Sequence, residues 1–188
     1  MVAKIAVFAS GSGSNFQAIA ESIERGELTA NIGLVITDKP GAFVVTRAEK
    51  MGIPVLELVP KTFESKAAYE EKIIEVLQEK NIEWVILAGY MRLVGETLLS
   101  AFENRIINIH PSLLPSFPGK DAIGQAMEHG VKITGVTVHY VDAGMDTGKI
   151  IAQGVVDVVE DDRVATESRI HQLEHELYTN TLQQLFNS

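Results

Sequence analysis

Two side chains suited to steadying an oxyanion, Asn108 and His110, stand two residues apart at the end of a mostly apolar, β-branched run over 105–109. Such a run reads as a buried strand, and the period of two along a strand puts both side chains on one face. The chain then turns away. Pro111, Pro115 and Pro118 each remove a backbone donor and fix φ, so neither a helix nor a central strand can continue. In open α/β sheets ligands bind beyond the carboxyl ends of the strands, which is where this pair falls. A neutral amide donor beside an imidazole proton source can steady an oxyanion as it forms. The plainer role for the same residues is to satisfy backbone groups within a core.

A second candidate lies near the start of the chain. Residues 4–9 form a short apolar strand, and Ser10-Gly11-Ser12-Gly13-Ser14-Asn15 follows as a loop. Phe16, Ile19, Ala20 and Ile23 then recur with helical spacing and give one apolar face. Ser14, with Gln17 three residues on, has the form of a capping box and places the helix start; Gly26 ends the helix. Strand, glycine-rich turn and helix start make an anion cradle, because free N–H groups converge there. The dinucleotide pattern G-x-G-x-x-G is met at Gly11 and Gly13 and broken at Phe16, while Asp38 ends the next strand about where a ribose-binding acid would stand. The phosphate-loop pattern fails, since no Gly-Lys-Ser/Thr follows. One small phosphate is therefore the expected ligand, ahead of a dinucleotide.

Other groups point to the same edge. Residues 89–95 leave a continuous apolar strand at 84–88; Arg92, flanked by Met91, Leu93 and Val94, fits a flat, partly apolar ligand carrying carboxylates or carbonyls. The loop 142–148 offers two carboxylates, Asp142 and Asp146, either of which could orient the His110 ring and favour its charged form. Near the carboxyl terminus His171-Gln172-Leu173-Glu174-His175 spells H-x-x-E-H, a zinc-peptidase pattern. A metal there needs a further protein ligand, typically well downstream, and the thirteen residues that follow hold one carboxylate, Glu176. No metal is expected.

The elements that must position these groups read as strands at 30–38, 53–58, 84–88, 105–109, 133–141 and 150–159. Helices read from Ser14 toward Gly26, at 43–51, after a Ser65 cap with Tyr69, Ile73, Val76 and Leu77 inward, at 121–130, and at 164–186 with Ile170, Leu173, Leu177, Leu182 and Leu185 inward. This alternation predicts an α/β fold, a mostly parallel, doubly wound, Rossmann-like sheet. No helix separates the last two strands, so they should pair antiparallel as an extension near the carboxyl terminus. At 188 residues the whole of 1–188 is expected to be a single domain. A hydrophobic fraction of 46% and a charged fraction of 22% are those of an ordinary globular protein. A net charge of −9 argues against nucleic acid and anionic membrane as partners. There is no cysteine, hence no disulfide framework or thiolate site, and no signal peptide or long apolar run, so a cytoplasmic location is expected.

Taken together, Ser-Gly-Ser-Gly-Ser-Asn after the first strand, Ala88-Gly-Tyr-Met-Arg-Leu, Asn108-Ile-His-Pro-Ser-Leu-Leu-Pro and Val141-Asp-Ala-Gly-Met-Asp-Thr-Gly closely resemble the phosphoribosylglycinamide formyltransferases, folate-dependent enzymes of purine synthesis. The resemblance covers nearly the whole chain. It implies that Gly13, Ser14 and Asn15 bind the ribose phosphate of glycinamide ribonucleotide. It places 10-formyltetrahydrofolate, as cosubstrate, at Met91, Arg92, Leu93, Val94 and Asn108, with Lys66 toward the folate tail. Asn108, His110 and Asp146 match the catalytic trio, Glu174 matches a glutamate near the glycinamide end, and neither a metal nor nucleic acid is implied. A monomer or homodimer is compatible with it. The family often has proline where Lys149 and Thr179 stand, which puts only local backbone in question. Asn-x-His with a later Asp also resembles the wider superfamily. A methionyl-tRNA formyltransferase should add a carboxyl-terminal domain and a basic face, and a formyltetrahydrofolate deformylase an amino-terminal regulatory domain. A non-catalytic nucleotide-binding module remains the reading if only the glycine-rich loop functions.

Overall fold

A computed structural model describes residues 2–188. Strands β1 (Ala3–Phe8), β2 (Ala30–Thr37), β3 (Val55–Glu57), β4 (Trp84–Leu87), β5 (Ile106–His110), β6 (Ile133–Tyr140) and β7 (Ile150–Asp157) make one sheet in the order β3-β2-β1-β4-β5-β6-β7. The first five run parallel; β6 is antiparallel to β5 and β7 to β6. The expected parallel sheet with an antiparallel extension is therefore present, and the antiparallel part begins one pairing earlier, at β5–β6.

Helices α1 (Ser14–Glu24), α2 (Phe43–Lys50) and α6 (Arg163–Phe186) cover one face, where Phe16, Ile19, Val44, Ile170 and Tyr178 pack with Ile5 and Val7 of β1. Helices α3 (Lys66–Glu79) and α4 (Glu96–Ala101) cover the other, with Tyr69, Ile73, Leu77 and Leu98 against Ala6 and Phe8. Helix α5 (Ala122–Glu128) follows the proline-rich loop. Alternate residues of β1 thus feed opposite cores, as a strand buried on both faces must. From β1 the chain builds outward through β2 and β3, then returns to place β4 on the other side of β1. Helix α1 leaves β1 on one face and α4 follows β4 on the other, so a crevice opens at the reversal of strand order.

Several local expectations change. Helix α1 starts at Ser14, but Gly13 precedes it at φ +76° and no side chain caps it; Gln17 bonds to Glu21 at 2.6 Å. The capping box is not made, and the first-turn donors stay open. The third strand is confined to Val55–Glu57, because Pro60–Thr62 turns as a short 3₁₀ segment. Helix α4 carried no signal, since it is short and buries only Leu98. On α6 the deepest stripe is Thr166, Ile170, Glu174, Tyr178, Thr181 and Leu182, while Leu173, Leu177 and Leu185 are half-buried beside it. That polar stripe is tolerated where its groups are bonded: the Tyr178 hydroxyl reaches the carbonyls of Leu87 at 2.8 Å and Ile107 at 3.1 Å, and the Thr181 hydroxyl bonds Leu177 O at 2.6 Å. Helix α6 continues through Thr179, where a proline would remove an interior hydrogen bond. Among the described residues no helix is long and apolar enough to cross a membrane.

Candidate active site

The crevice opens into a cavity of about 720 Å³ lined by the loops after β1, β4 and β5, the 142–146 loop and one turn of α6. It brings together Gly13, Ser14, Asn15, Met91, Arg92, Leu93, Val94, Asn108, His110, Asp146 and Glu174. Lys66 stands outside it, exposed beside a shallow depression that shares Arg92, Leu93 and Val94 with the cavity wall.

His110, 6% exposed, ends β5 and faces back into its own loop. Its Nε2–H donates to the Phe117 carbonyl at 2.9 Å. That fixes the ring and leaves Nδ1 as the free nitrogen, 3.5 Å from Asp146 Oδ2. The proline-rich loop is held independently: Ser112 Oγ donates to Ser116 O at 2.6 Å, Thr137 Oγ1 donates to Ser112 O at 2.7 Å, and Leu114 N–H donates to Thr137 Oγ1 at 3.1 Å.

Asp146 is singled out from Asp142 by local geometry. Asp142 Oδ1 accepts from Gly144 N–H at 3.0 Å and Thr147 Oγ1 at 2.6 Å, so it closes its own turn. Asp146 takes φ +56°, accepts from Gly119 N–H at 2.8 Å through Oδ2, and turns its carboxylate toward both His110 and His139 Nε2, the latter at 3.9 Å.

His139 carried no sequence expectation beyond its strand. Register puts it directly opposite Asn108. Its Nδ1–H donates to Tyr140 O at 2.8 Å, so Nε2 carries a lone pair and accepts from Asn108 Nδ2 at 3.3 Å. Burial pushes this imidazole below its ordinary range, against the opposing pull of its Tyr140 hydrogen bond and of Asp146. The neutral ring therefore fixes which end of the Asn108 amide faces the cavity. A signal existed, a histidine on an alternating strand, but its partner depends on pairing distant in sequence.

A folded-state value below the ordinary one means that the unfolded chain takes up protons first as pH falls. The His139 contribution to stability is then complete above the ordinary imidazole range and is lost as pH drops through it toward the lowered value. Denaturant melts between pH 8 and pH 5 should show a His139→Gln variant losing less stability on acidification than the parent, by on the order of 1 kcal/mol. Parallel slopes would contradict the assignment.

On α6, His171 Nδ1 lies 2.8 Å from Glu174 Oε2. That hydrogen bond to the carboxylate holds the His171 imidazole above its usual range. The H-x-x-E-H pattern thus joins its first histidine to its glutamate, and no cluster of three metal-ligand side chains occurs among the described residues.

At the other wall, an added Cβ at Gly13 would meet Val44 Cγ2 at 2.6 Å, and the positive φ is one that glycine alone adopts freely. Asn15 Oδ1 is buried without a partner. Met91 and Leu93, 66% and 51% exposed, form an apolar rim around Arg92.

A doubly wound sheet whose switch-point cleft joins an uncapped glycine-loop helix to a cluster of amide, imidazole and carboxylate has the outline of an α/β group-transfer enzyme. The chain belongs to the formyl transferase family, whose model matches residues 3–182. It is 54% identical over 183 residues to a phosphoribosylglycinamide formyltransferase of Bacillus subtilis (strain 168), covering 97% of this chain and 94% of that protein. Among solved structures, a phosphoribosylglycinamide formyltransferase from Bacillus halodurans superposes with TM-score 0.94 at 56% identity, covering 97% of this chain and 94% of that one. A glycinamide ribonucleotide transformylase 1 from Geobacillus kaustophilus gives 0.96 at 56% identity, covering 98% and 99%.

Proposed function

We propose that this chain transfers a formyl group from 10-formyltetrahydrofolate to the amine of glycinamide ribonucleotide, a step of purine biosynthesis. Beyond family membership, one observation carries the reading: a single cavity joins an anion-type loop to Asn108, His139, Asp146 and His110. Its volume of about 720 Å³ suits ligands of this size. The substrate phosphate sits at Gly13, Ser14 and Asn15, where the donors of the α1 first turn are uncapped. The glycinamide end reaches Glu174. The pteridine and its carboxylate-bearing tail take the Met91–Val94 rim with Arg92, and Lys66 meets the far end of the tail from outside the cavity. In this reading residues 1–188 act as one catalytic domain with small-molecule partners, in the cytoplasm.

Bound 10-formyltetrahydrofolate supplies the formyl carbon, which the substrate amine attacks directly. Two groups meet the formyl oxygen as it gains charge. Asn108 offers the amide hydrogen that His139 does not take, and protonated His110 offers Nδ1–H. The Asp146 carboxylate lies 3.5 Å from Nδ1 without hydrogen-bonding it, so its negative charge faces that proton while the hydrogen stays available to the formyl oxygen. His139, kept neutral by burial, orients Asn108 and is no proton source. The proton lost by the attacking amine is returned to the departing folate nitrogen, so charge balances across the transfer.

Purified protein incubated with both substrates should release tetrahydrofolate in step with formylglycinamide ribonucleotide. Release without the ribonucleotide would mark a deformylase instead, and no release would overturn the reading. At the phosphate end, Asn15→Leu should raise KM for the ribonucleotide roughly 10- to 100-fold, the range for a lost hydrogen bond to a charged group. The KM for the formyl donor should stay close to unchanged. An equal loss of both affinities would mean that the phosphate lies elsewhere.

A further inference from the structure

Ser10 stands at the reversal of strand order, where the loops after β1 and β4 come together. Its backbone N–H donates to Gly89 O at 3.0 Å. Its hydroxyl donates to Asp38 Oδ1 at 2.5 Å and accepts the Met91 N–H at 2.9 Å. One hydroxyl on a residue only 3% exposed therefore ties together the ends of β1, β2 and β4. Asp38 does not line the cavity and is itself buried. Its carboxylate is taken by Ser10 and is turned away from the ribose-binding role that its place in the sequence had raised.

The order of donors matters. A serine hydroxyl has one hydrogen and two lone pairs. With its hydrogen committed to a carboxylate, the Ser10 oxygen can only accept, and the Met91 N–H is the group aimed at it. The start of the loop has a separate anchor, because Tyr90 packs edge-on against Phe8 at 5.4 Å and bonds Tyr69 Oη at 2.9 Å. Burial pushes both phenols above their ordinary range, and nearby Asp38 adds to it, so they stay neutral. What Ser10 holds is the next peptide, from which the Met91–Val94 rim departs, exposed at Met91, Arg92 and Leu93 and buried at Val94.

We propose that the Ser10 hydroxyl, oriented by Asp38, is a positioning group for the formyl-donor side of the cleft, setting the Met91–Val94 rim against the anion loop. This rests on the reading that the rim receives the donor. Neither residue meets the reacting atoms; both act through the Met91 peptide.

Ser10→Ala removes the bridge without adding bulk. In steady-state assays it should raise KM for 10-formyltetrahydrofolate roughly five- to tenfold, with KM for glycinamide ribonucleotide within about twofold. Amide exchange at Met91, followed in the ligand-free protein, should accelerate. Asp38→Asn keeps an acceptor oxygen and should stay near the parent, whereas Asp38→Ala should reproduce Ser10→Ala. The double variant Ser10→Ala/Asp38→Ala should be no worse than Ser10→Ala alone, since both act through one contact. Equal rises in both KM values, additive effects in the double variant, or unchanged exchange at Met91 would each overturn the proposal. Failure of the underlying reading is separable. It would show as an inactive parent protein, while exchange at Met91 needs no substrate and still reports on the bridge.

Discussion

His110→Ala is expected to lower kcat roughly 10²- to 10⁴-fold, the range for losing a general acid together with an oxyanion partner. The KM values of both substrates should move by only a few-fold. The argument for that split is geometric. The ring's one bond to its own loop is to Phe117 O at 2.9 Å, and Ser112 Oγ lies 3.3 Å from the same carbonyl. The loop is pinned besides through Thr137 and by Gln153 Nε2 donating to Leu114 O at 2.9 Å. Removing the imidazole therefore leaves the loop 111–119 tied at several other points, and the walls proposed for phosphate and folate belong to different elements. Single-turnover rates with both substrates saturating, alongside calorimetric affinities for glycinamide ribonucleotide, separate chemistry from binding. Turnover near that of the parent would reject His110 as the proton-bearing group. A matching collapse of substrate affinity would assign it a structural role instead.

How far the sequence alone reached follows from the range of the interactions involved. Asn108 and His110 were legible because strand periodicity and the prolines after them are local features, and Ile106–His110 does form the last buried strand end before the turn. Alternating strands and helices foretold a mostly parallel sheet for the same reason. His139 was not legible as a partner of Asn108, because that contact exists only through the β5–β6 register. Ser14 and Gln17 have capping-box chemistry, yet the positive φ of Gly13 sends the chain into α1 by another route. On α6 the leucines mark an apolar face by type, while the buried stripe runs through Glu174 and Tyr178, whose polar atoms find partners in His171 and in the carbonyls of Leu87 and Ile107 on β4 and β5. Asp142 and Asp146 are the same residue type in one loop. Only the resemblance to a known family separates them in sequence; in the structure Asp142 closes its own turn, while Asp146, at φ +56°, lies 3.5 Å from His110 Nδ1.

Asp146→Asn isolates charge more cleanly than any other substitution in the cluster. The two side chains are nearly the same size, and asparagine tolerates the left-handed backbone that Asp146 adopts at φ +56°. The amide oxygen can still accept from Gly119 N–H, which bonds the carboxylate at 2.8 Å. What disappears is a negative charge 3.5 Å from His110 Nδ1 and 3.9 Å from His139 Nε2. Two unit charges about 4 Å apart attract by roughly 4 kcal/mol near a protein surface. Part of this is offset by solvent entering the open cavity and by the polarity that the amide retains. A remaining loss of about 2.7 kcal/mol in transition-state stabilisation corresponds to a fall in kcat of roughly 10²-fold. His139 should be indifferent, since burial already keeps it neutral, and so the orientation of Asn108 should survive. The expected pattern is a large loss in kcat with both KM values within a few-fold and thermal stability close to that of the parent. NMR of the imidazole nitrogens in the variant should show the His139 ring unchanged, with its Nδ1–H still bonded to Tyr140 O. A variant that retains kcat within about fivefold of the parent, a loss too small for a missing charge pair, would remove Asp146 from the proposed mechanism and leave the Asn108–His139 pair and His110 to carry the charge on the formyl oxygen.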